Sequence, residues 1–129
     1  MSIDLWMLFG AVILGLVHLG AASMAFKAQV GNAYTVGARD EGKQPVRVAG
    51  RLERAQRNFG ESFPLFVAVV LALHVTGKAN DLSAIGAELY LGGRIAYLPA
   101  YASGLPWIRT IFWQVATIGL VIALVQLAR

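Results

Sequence analysis

The sequence predicts an all-α integral membrane protein, a four-helix bundle made by one domain over residues 1–129. Three observations carry that reading. First, 57% of the 129 residues are hydrophobic and 14% are charged, whereas a soluble domain carries roughly a quarter charged residues; the mean hydropathy is +0.62. Second, the apolar residues gather into four segments of membrane-helix length. Third, the basic residues cluster at the boundaries of those segments. A net charge of +4 and a pI near 9.9 would suit nucleic acid if the cations formed a stripe on a soluble surface. They do not, so a lipid bilayer is the expected partner and nucleic acid is not.

The first apolar run, Ile3 to Phe26, can cross about 30 Å of hydrocarbon and stops at Lys27. It lacks a basic leader region and carries Asp4, so it reads as a membrane helix and not as a removable signal. Gly31 to Val48 is the one long polar connector. The second helix is expected from Ala49 to Thr76, about 42 Å at 1.5 Å per residue, so its basic N-terminal third extends past the hydrocarbon. Pro64 inside it predicts a kink. Gly77 to Asp81 is a tight connector, with Asp81 or Ser83 as N-cap of the third helix. That helix runs from Leu82 to about Leu98, where the Pro99, Gly104 and Pro106 region breaks it. The fourth occupies Trp107 to Leu127. Ala11 and Gly15 fit a small-residue helix contact, and Trp6, Trp107 and Trp113 fit interfacial or packing positions.

With four spans, the first and third connectors share one side of the membrane. That side collects Lys27, Arg39, Lys43, Arg47, Arg51, Arg54, Arg57, Arg94 and Arg109, and the other holds Lys78 and Arg129, nine against two. The positive-inside tendency makes the first side cytoplasmic and places both termini outside.

Chemistry is concentrated where RLERAQRNFGESFP (Arg51 to Pro64) runs directly into LFVAVVLALHV. At about 100° per residue, Arg51, Arg54, Asn58 and Glu61 lie on one stripe of the second helix. Tyr90, Arg94, Tyr97 and Tyr101 lie on a stripe about 60° wide on the third, provided the helix continues past Pro99. Arg109 and Thr110 open the fourth. All but Tyr90 fall toward the cytoplasmic end, so two polar stripes meet at one depth. Arginine offers paired donors to carboxylates, Asn and Glu hold amide or amino groups, and Tyr adds a hydroxyl with a packing face. Basic helix ends also snorkel to lipid headgroups, but that role needs neither Asn58 nor Glu61. Glu53 and Arg57 are expected to pair at i, i+4 in solvent. Glu88, mid-span, is expected to be an internal hydrogen-bonded group. His18 and His74 are single, far apart and without an acidic ligand set; core or interface hydrogen bonding is expected and no metal.

RAQRNFGESFPLF on the second helix and GRIAYLPAYASGLPWIRT across the third and fourth resemble the MAPEG family, the membrane-associated proteins in eicosanoid and glutathione metabolism. The resemblance implies a homotrimer of four-helix subunits, with three glutathione sites between subunits that open to the cytoplasm. It further implies conjugation or peroxidase chemistry on a hydrophobic small molecule. Arg54, Asn58 and Glu61 match the family's glutathione-holding positions, and Arg94, Tyr97 and Tyr101 its third-helix contacts; Arg51 shares the stripe. Arg109 matches the arginine that activates the glutathione sulfur, with Thr110 beside it. Ser62 stands where certain leukotriene-forming members have tyrosine. One residue between Glu61 and Pro64 is absent relative to prostaglandin-forming members. The longer first connector, containing GARDEGK, is similar to the bacterial branch, which implies a bacterial inner membrane.

The chain has no cysteine. Disulfides, thiolate metal sites and a protein thiol nucleophile are excluded, and any thiol must come with a ligand. A free thiol with a pKa near 8.5 is a few per cent thiolate at neutral pH, and an adjacent arginine favours the charged form. Arg109 is the candidate for that task, with the Tyr101 hydroxyl second. Two other classes compete: a non-catalytic membrane subunit of the same fold, and a small transporter using Glu88 or Glu61 as a proton-coupled acid. The absence of an inverted repeat argues against the transporter.

Overall fold

Ser2 opens the first helix: its hydroxyl accepts the amide of Leu5 at 3.4 Å, and Asp4 in the first turn suits the positive end of the helix dipole. The structure, a computed structural model describing residues 1–129, then proceeds as α1 (Ile3–Val30), α2 (Asn32–Val36), α3 (Arg47–Val75), α4 (Asp81–Ala102) and α5 (Ile108–Ala128), with no strands. The long connector is therefore not structureless. It contains the one-turn helix α2, which Gly31 permits by turning the chain at φ 91°.

Two other boundaries differ from expectation. The N-cap of α4 is Asn80, whose side-chain oxygen accepts the amides of Leu82 (2.9 Å) and Ser83 (3.1 Å). The Asn80 amide in turn donates to Ser83 Oγ at 2.9 Å, completing a capping box. Pro99 does not end α4, which continues to Ala102. A proline withholds one amide and its ring pushes aside one carbonyl, and packing of the last turn outweighs that loss. Pro64 likewise sits within α3.

Side-chain ties fix which ends lie together. Gln29 on α1 donates to the Val46 carbonyl at 2.7 Å, and Arg51 on α3 donates to the Ala102 carbonyl at 2.9 Å. At the opposite end Lys78 donates to the Leu127 carbonyl at 2.9 Å. The long helices thus run antiparallel in sequence, and the nine basic residues counted above collect toward one end. Three helices, α1, α3 and α5, are long and apolar enough to cross a membrane. α4 is comparably long, but Glu88, Arg94 and its tyrosines dilute its apolarity.

Only 27 of 129 residues are buried. Large apolar side chains such as Trp6, Phe9, Leu16, Ile118 and Leu124 stay on the outside, as a lipid environment allows. The inner cluster joins Ala11 and Leu14, Phe59, Phe66 and Val70, Ala87 and Tyr90, and Ala116. Ala11 and Gly15 do face neighbours: Ala11 is fully buried, and Gly15 lies beneath the Phe59 ring. The tightest seam, however, is between α4 and α5. A methyl group on Gly86 would lie 2.6 Å from the Gly119 carbonyl, and one on Gly93 would lie 2.8 Å from the Phe112 carbonyl. Backbone meets backbone there, so the neighbours cannot swing aside.

Glu88 departs from expectation. It is exposed on the stripe Leu82, Ile85, Glu88, Gly92, Ile95, and has no internal hydrogen-bond partner. Its position on the helix faces away from the buried Ala87 and Tyr90 side.

Gly93→Ala or Gly119→Ala is expected to lower stability by about 1–3 kcal/mol by forcing the two helices apart. Gly92→Ala, with open space around it, is expected to be neutral or slightly stabilising. Denaturant-induced unfolding in detergent, followed by circular dichroism, checks the contrast.

Candidate functional site

Because residues three and four apart share a helix face, the N-terminal third of α3 presents Arg51, Arg54, Asn58 and Glu61 together. The continuation of α4 past Pro99 keeps Tyr101 aligned with Arg94 and Tyr97. After Ala102 the chain turns at Gly104 (φ 74°) and restarts at Trp107 (φ 71°), which brings Arg109 back over Tyr101. Arg51 packs over Gly104 as well as bonding Ala102, so it braces this turn.

Tyr101 is the first meeting point. Its hydroxyl accepts from Arg54 Nε at 3.2 Å. Its ring carries the Arg109 guanidinium at 4.4 Å from the centroid, and it meets Tyr97 edge-on at 5.6 Å. Three helices therefore contribute to one group of side chains. Arg54 and Arg109 are exposed, with guanidinium edges open to a ligand.

Arg94 is the second meeting point and lies deeper. It is 1% exposed. Its Nη1 donates to Asn58 Oδ1 at 2.8 Å, and its guanidinium lies 4.4 Å from the Tyr97 centroid and 5.4 Å from that of Phe59. Nε and Nη2 are buried without a partner. The chain's two ion pairs, Lys43–Glu41 and Arg57–Glu53, are on exposed side chains elsewhere. The second of these is the solvated pair expected from the sequence. Arg51, Arg54, Arg94 and Arg109 thus have no carboxylate within ion-pair distance, and their surplus charge calls for an anion.

The predicted residues are not drawn together equally. Arg54, Asn58, Arg94, Tyr97, Tyr101 and Arg109 contact one another as described, and Arg51 supports from the edge. Glu61 and Thr110 are exposed, and Glu61 takes part in neither ion pair. Phe59 joins the group without having been singled out in the sequence, and His18, expected in the core, comes with it. Phe59 forms the floor beside Arg94, and His18 of α1 stacks on Phe59 at 4.8 Å with an interplanar angle of 19°. His18 is 1% exposed, as a core histidine should be, but the expected hydrogen bond is absent from both ring nitrogens. A lone histidine in an apolar helix was the only signal available. His74, by contrast, is exposed. Deeper still, Ser62 Oγ and the Tyr90 hydroxyl share a hydrogen bond of 2.9 Å, and Tyr90 stacks on Phe66 at 4.1 Å. No cluster of three or more His, Cys, Asp or Glu side chains that could hold a metal is present.

An all-helical membrane protein with an arginine- and tyrosine-rich cluster at one end is the class these features define. Residues 5–129 match the MAPEG family, essentially the whole chain, and the chain belongs to that family. The family includes glutathione transferases and peroxidases as well as non-catalytic members, and its members use glutathione. Among curated proteins none matches the chain significantly.

Asn58→Ala removes the acceptor of a buried guanidinium and is expected to destabilise the protein by about 1–3 kcal/mol. Asn58→Asp supplies a carboxylate and is expected to hold or raise stability. Thermal unfolding of the two variants side by side tests whether Arg94 lacks a counter-charge.

Proposed function

We propose that this protein is a glutathione-dependent transferase or peroxidase, acting as a homotrimer of four-span subunits. The observation that carries the reading is the buried Arg94, with two donors unpartnered, beside three further arginines without carboxylate partners. Glutathione brings two carboxylates and a thiol. In this reading Arg94, Arg54 and Arg51 receive carboxylate charge, Asn58 and Glu61 hold amide and amino groups, and Tyr97 packs against the peptide. Glu61 and Thr110, open on the subunit surface, contact the ligand at the border with a neighbouring copy. The basic end faces the cytoplasm, in keeping with the positive-inside tendency, and a bacterial inner membrane is the setting.

Arg109 acts on sulfur. Its exposed guanidinium, fixed over the Tyr101 ring, supplies positive charge that favours thiolate over thiol. Tyr101, already bonded to Arg54, is the second donor to the same sulfur. The thiolate then forms a carbon–sulfur bond to a lipophilic electrophile and expels its leaving group. With a hydroperoxide it attacks the terminal oxygen, the O–O bond breaks and the alkoxide takes a proton to leave as an alcohol; a second glutathione thiol then attacks the sulfenic acid, giving the disulfide and water. The hydrophobic substrate reaches the sulfur along the apolar outer faces of the helices.

Arg109→Ala is expected to lower the rate of conjugation to a generic electrophile about 10²–10³-fold and to shift the rate–pH profile upward, because the thiol loses its cationic neighbour. Unchanged rate and profile would remove Arg109 from the chemistry. In calorimetric titration, Arg54→Ala and Glu61→Gln are each expected to weaken glutathione binding about tenfold or more, near the value of one charge-assisted hydrogen bond. No heat of binding to the wild-type protein would favour the non-catalytic reading.

A further inference from the structure

A cationic pocket lies on the other side of α3 from the cluster around Arg94 and Tyr101. Ala49, Glu53 and Gln56 point roughly 150° around the helix from Arg51, Arg54 and Asn58, and line a cavity of about 550 Å³ closed by the end of α1 and the first connector. Its walls carry Lys27, Arg39 and Lys43, with Phe26 and Tyr34 between them. None of these takes part in the cluster described above.

The connector is tied down, so the pocket is built. The Gln29 side chain donates to the Val46 carbonyl at 2.7 Å and accepts the Val46 amide at 3.2 Å. The Tyr34 hydroxyl accepts the Lys43 amide at 2.7 Å and donates to the Arg39 carbonyl at 3.4 Å. Arg39 donates from Nε and Nη2 to the Thr35 carbonyl at 3.1 and 2.9 Å. Its guanidinium lies 5.7 Å from the Phe26 centroid, while Lys43 Nζ lies 4.8 Å from that of Tyr34. Of the three cations only Lys43 is ion-paired, with exposed Glu41 at 3.4 Å. Glu53, the one acid in the wall, is taken by Arg57. The wall is left with net positive charge.

The floor indicates which kind of anion fits. Ser23 and Phe26 share a face of α1 with Leu19 and Leu16, which are 51% and 63% exposed. A cationic recess therefore opens directly onto an apolar strip running down a membrane helix. We propose that this pocket binds the phosphate headgroup of an anionic membrane lipid, with Lys27 and Arg39 on the phosphate and the acyl chains along Leu19 and Leu16. A soluble phosphate compound would use the same cations but not the strip.

Native mass spectrometry of the detergent-purified protein tests this with short-chain phosphatidylglycerol, phosphatidylcholine and glycerol phosphate as probes. Retention of phosphatidylglycerol over phosphatidylcholine is expected. The Lys27→Gln, Arg39→Gln double variant should weaken it about thirtyfold, the factor that two basic residues supply at an anionic surface. Arg47→Gln, basic and at the same end but outside the pocket, should not weaken it. If the double variant fails to fold, Lys43→Glu carries the same expectation. Equal loss in Arg47→Gln would overturn the site in favour of diffuse charge. Glycerol phosphate binding as tightly as the lipid would overturn the lipid in favour of a soluble phosphate. Displacement of the lipid by glutathione would overturn the pocket's independence from the thiol site.

Discussion

The burial of Arg94 without a counter-charge organises the rest. A guanidinium removed from water is strongly unfavourable unless its donors and its charge are answered. Within the chain the answer is incomplete: one bond to Asn58 and two aromatic faces, Tyr97 and Phe59. Those contacts lock the register of α3 against α4. With Asn58 opposite Arg94, the antiparallel pairing brings Ser62 to Tyr90 and stacks Phe66 on the same ring. Two of its donors, Nε and Nη2, stay buried without a partner.

The close α4–α5 seam converts that register into a position for Arg109. In lipid there is little hydrophobic force to press helices together, so close approach through small residues takes its place. Gly86 and Gly93 admit the backbone around Gly119, Ala116 and Ala123. A rigid seam leaves little freedom to the short turn through Gly104, and Arg109 emerges over Tyr101. A polar α4 is tolerable for the same reason. Arg94, Tyr90 and Tyr97 face protein and not lipid, and only Glu88 is turned outward among apolar neighbours.

α3 separates two cationic regions at the same end of the molecule. One side bears arginines answered by tyrosines and amides, with a depth that reaches the core. The other bears lysine and arginine over Phe26 and Tyr34 in a recess formed by the connector. Positive charge toward one end of the molecule is thus divided between two separate places, and the ties of the connector build the second of them.

The sequence alone determined the helical class, four of the five helices to within a few residues, and the polar stripes of α3 and α4. These depend on periodicity and hydropathy, which are local properties. It also carried the family motif, since Arg54, Asn58, Glu61 and Arg109 stand at fixed spacings that no fold is needed to read. Tertiary structure decided the remainder. Asn80 in place of Asp81 as cap, and the survival of α4 beyond Pro99, were settled by backbone geometry and packing that outweigh single-residue preference. That Arg94 is buried, that His18 stacks on Phe59 without a hydrogen bond, and that Glu88 faces outward depend on which face of each helix meets its neighbour. The pocket around Arg39 depends on ties such as Gln29 to Val46, across 17 residues. Spacing along one helix records what shares a face; only contacts between helices determine what that face meets.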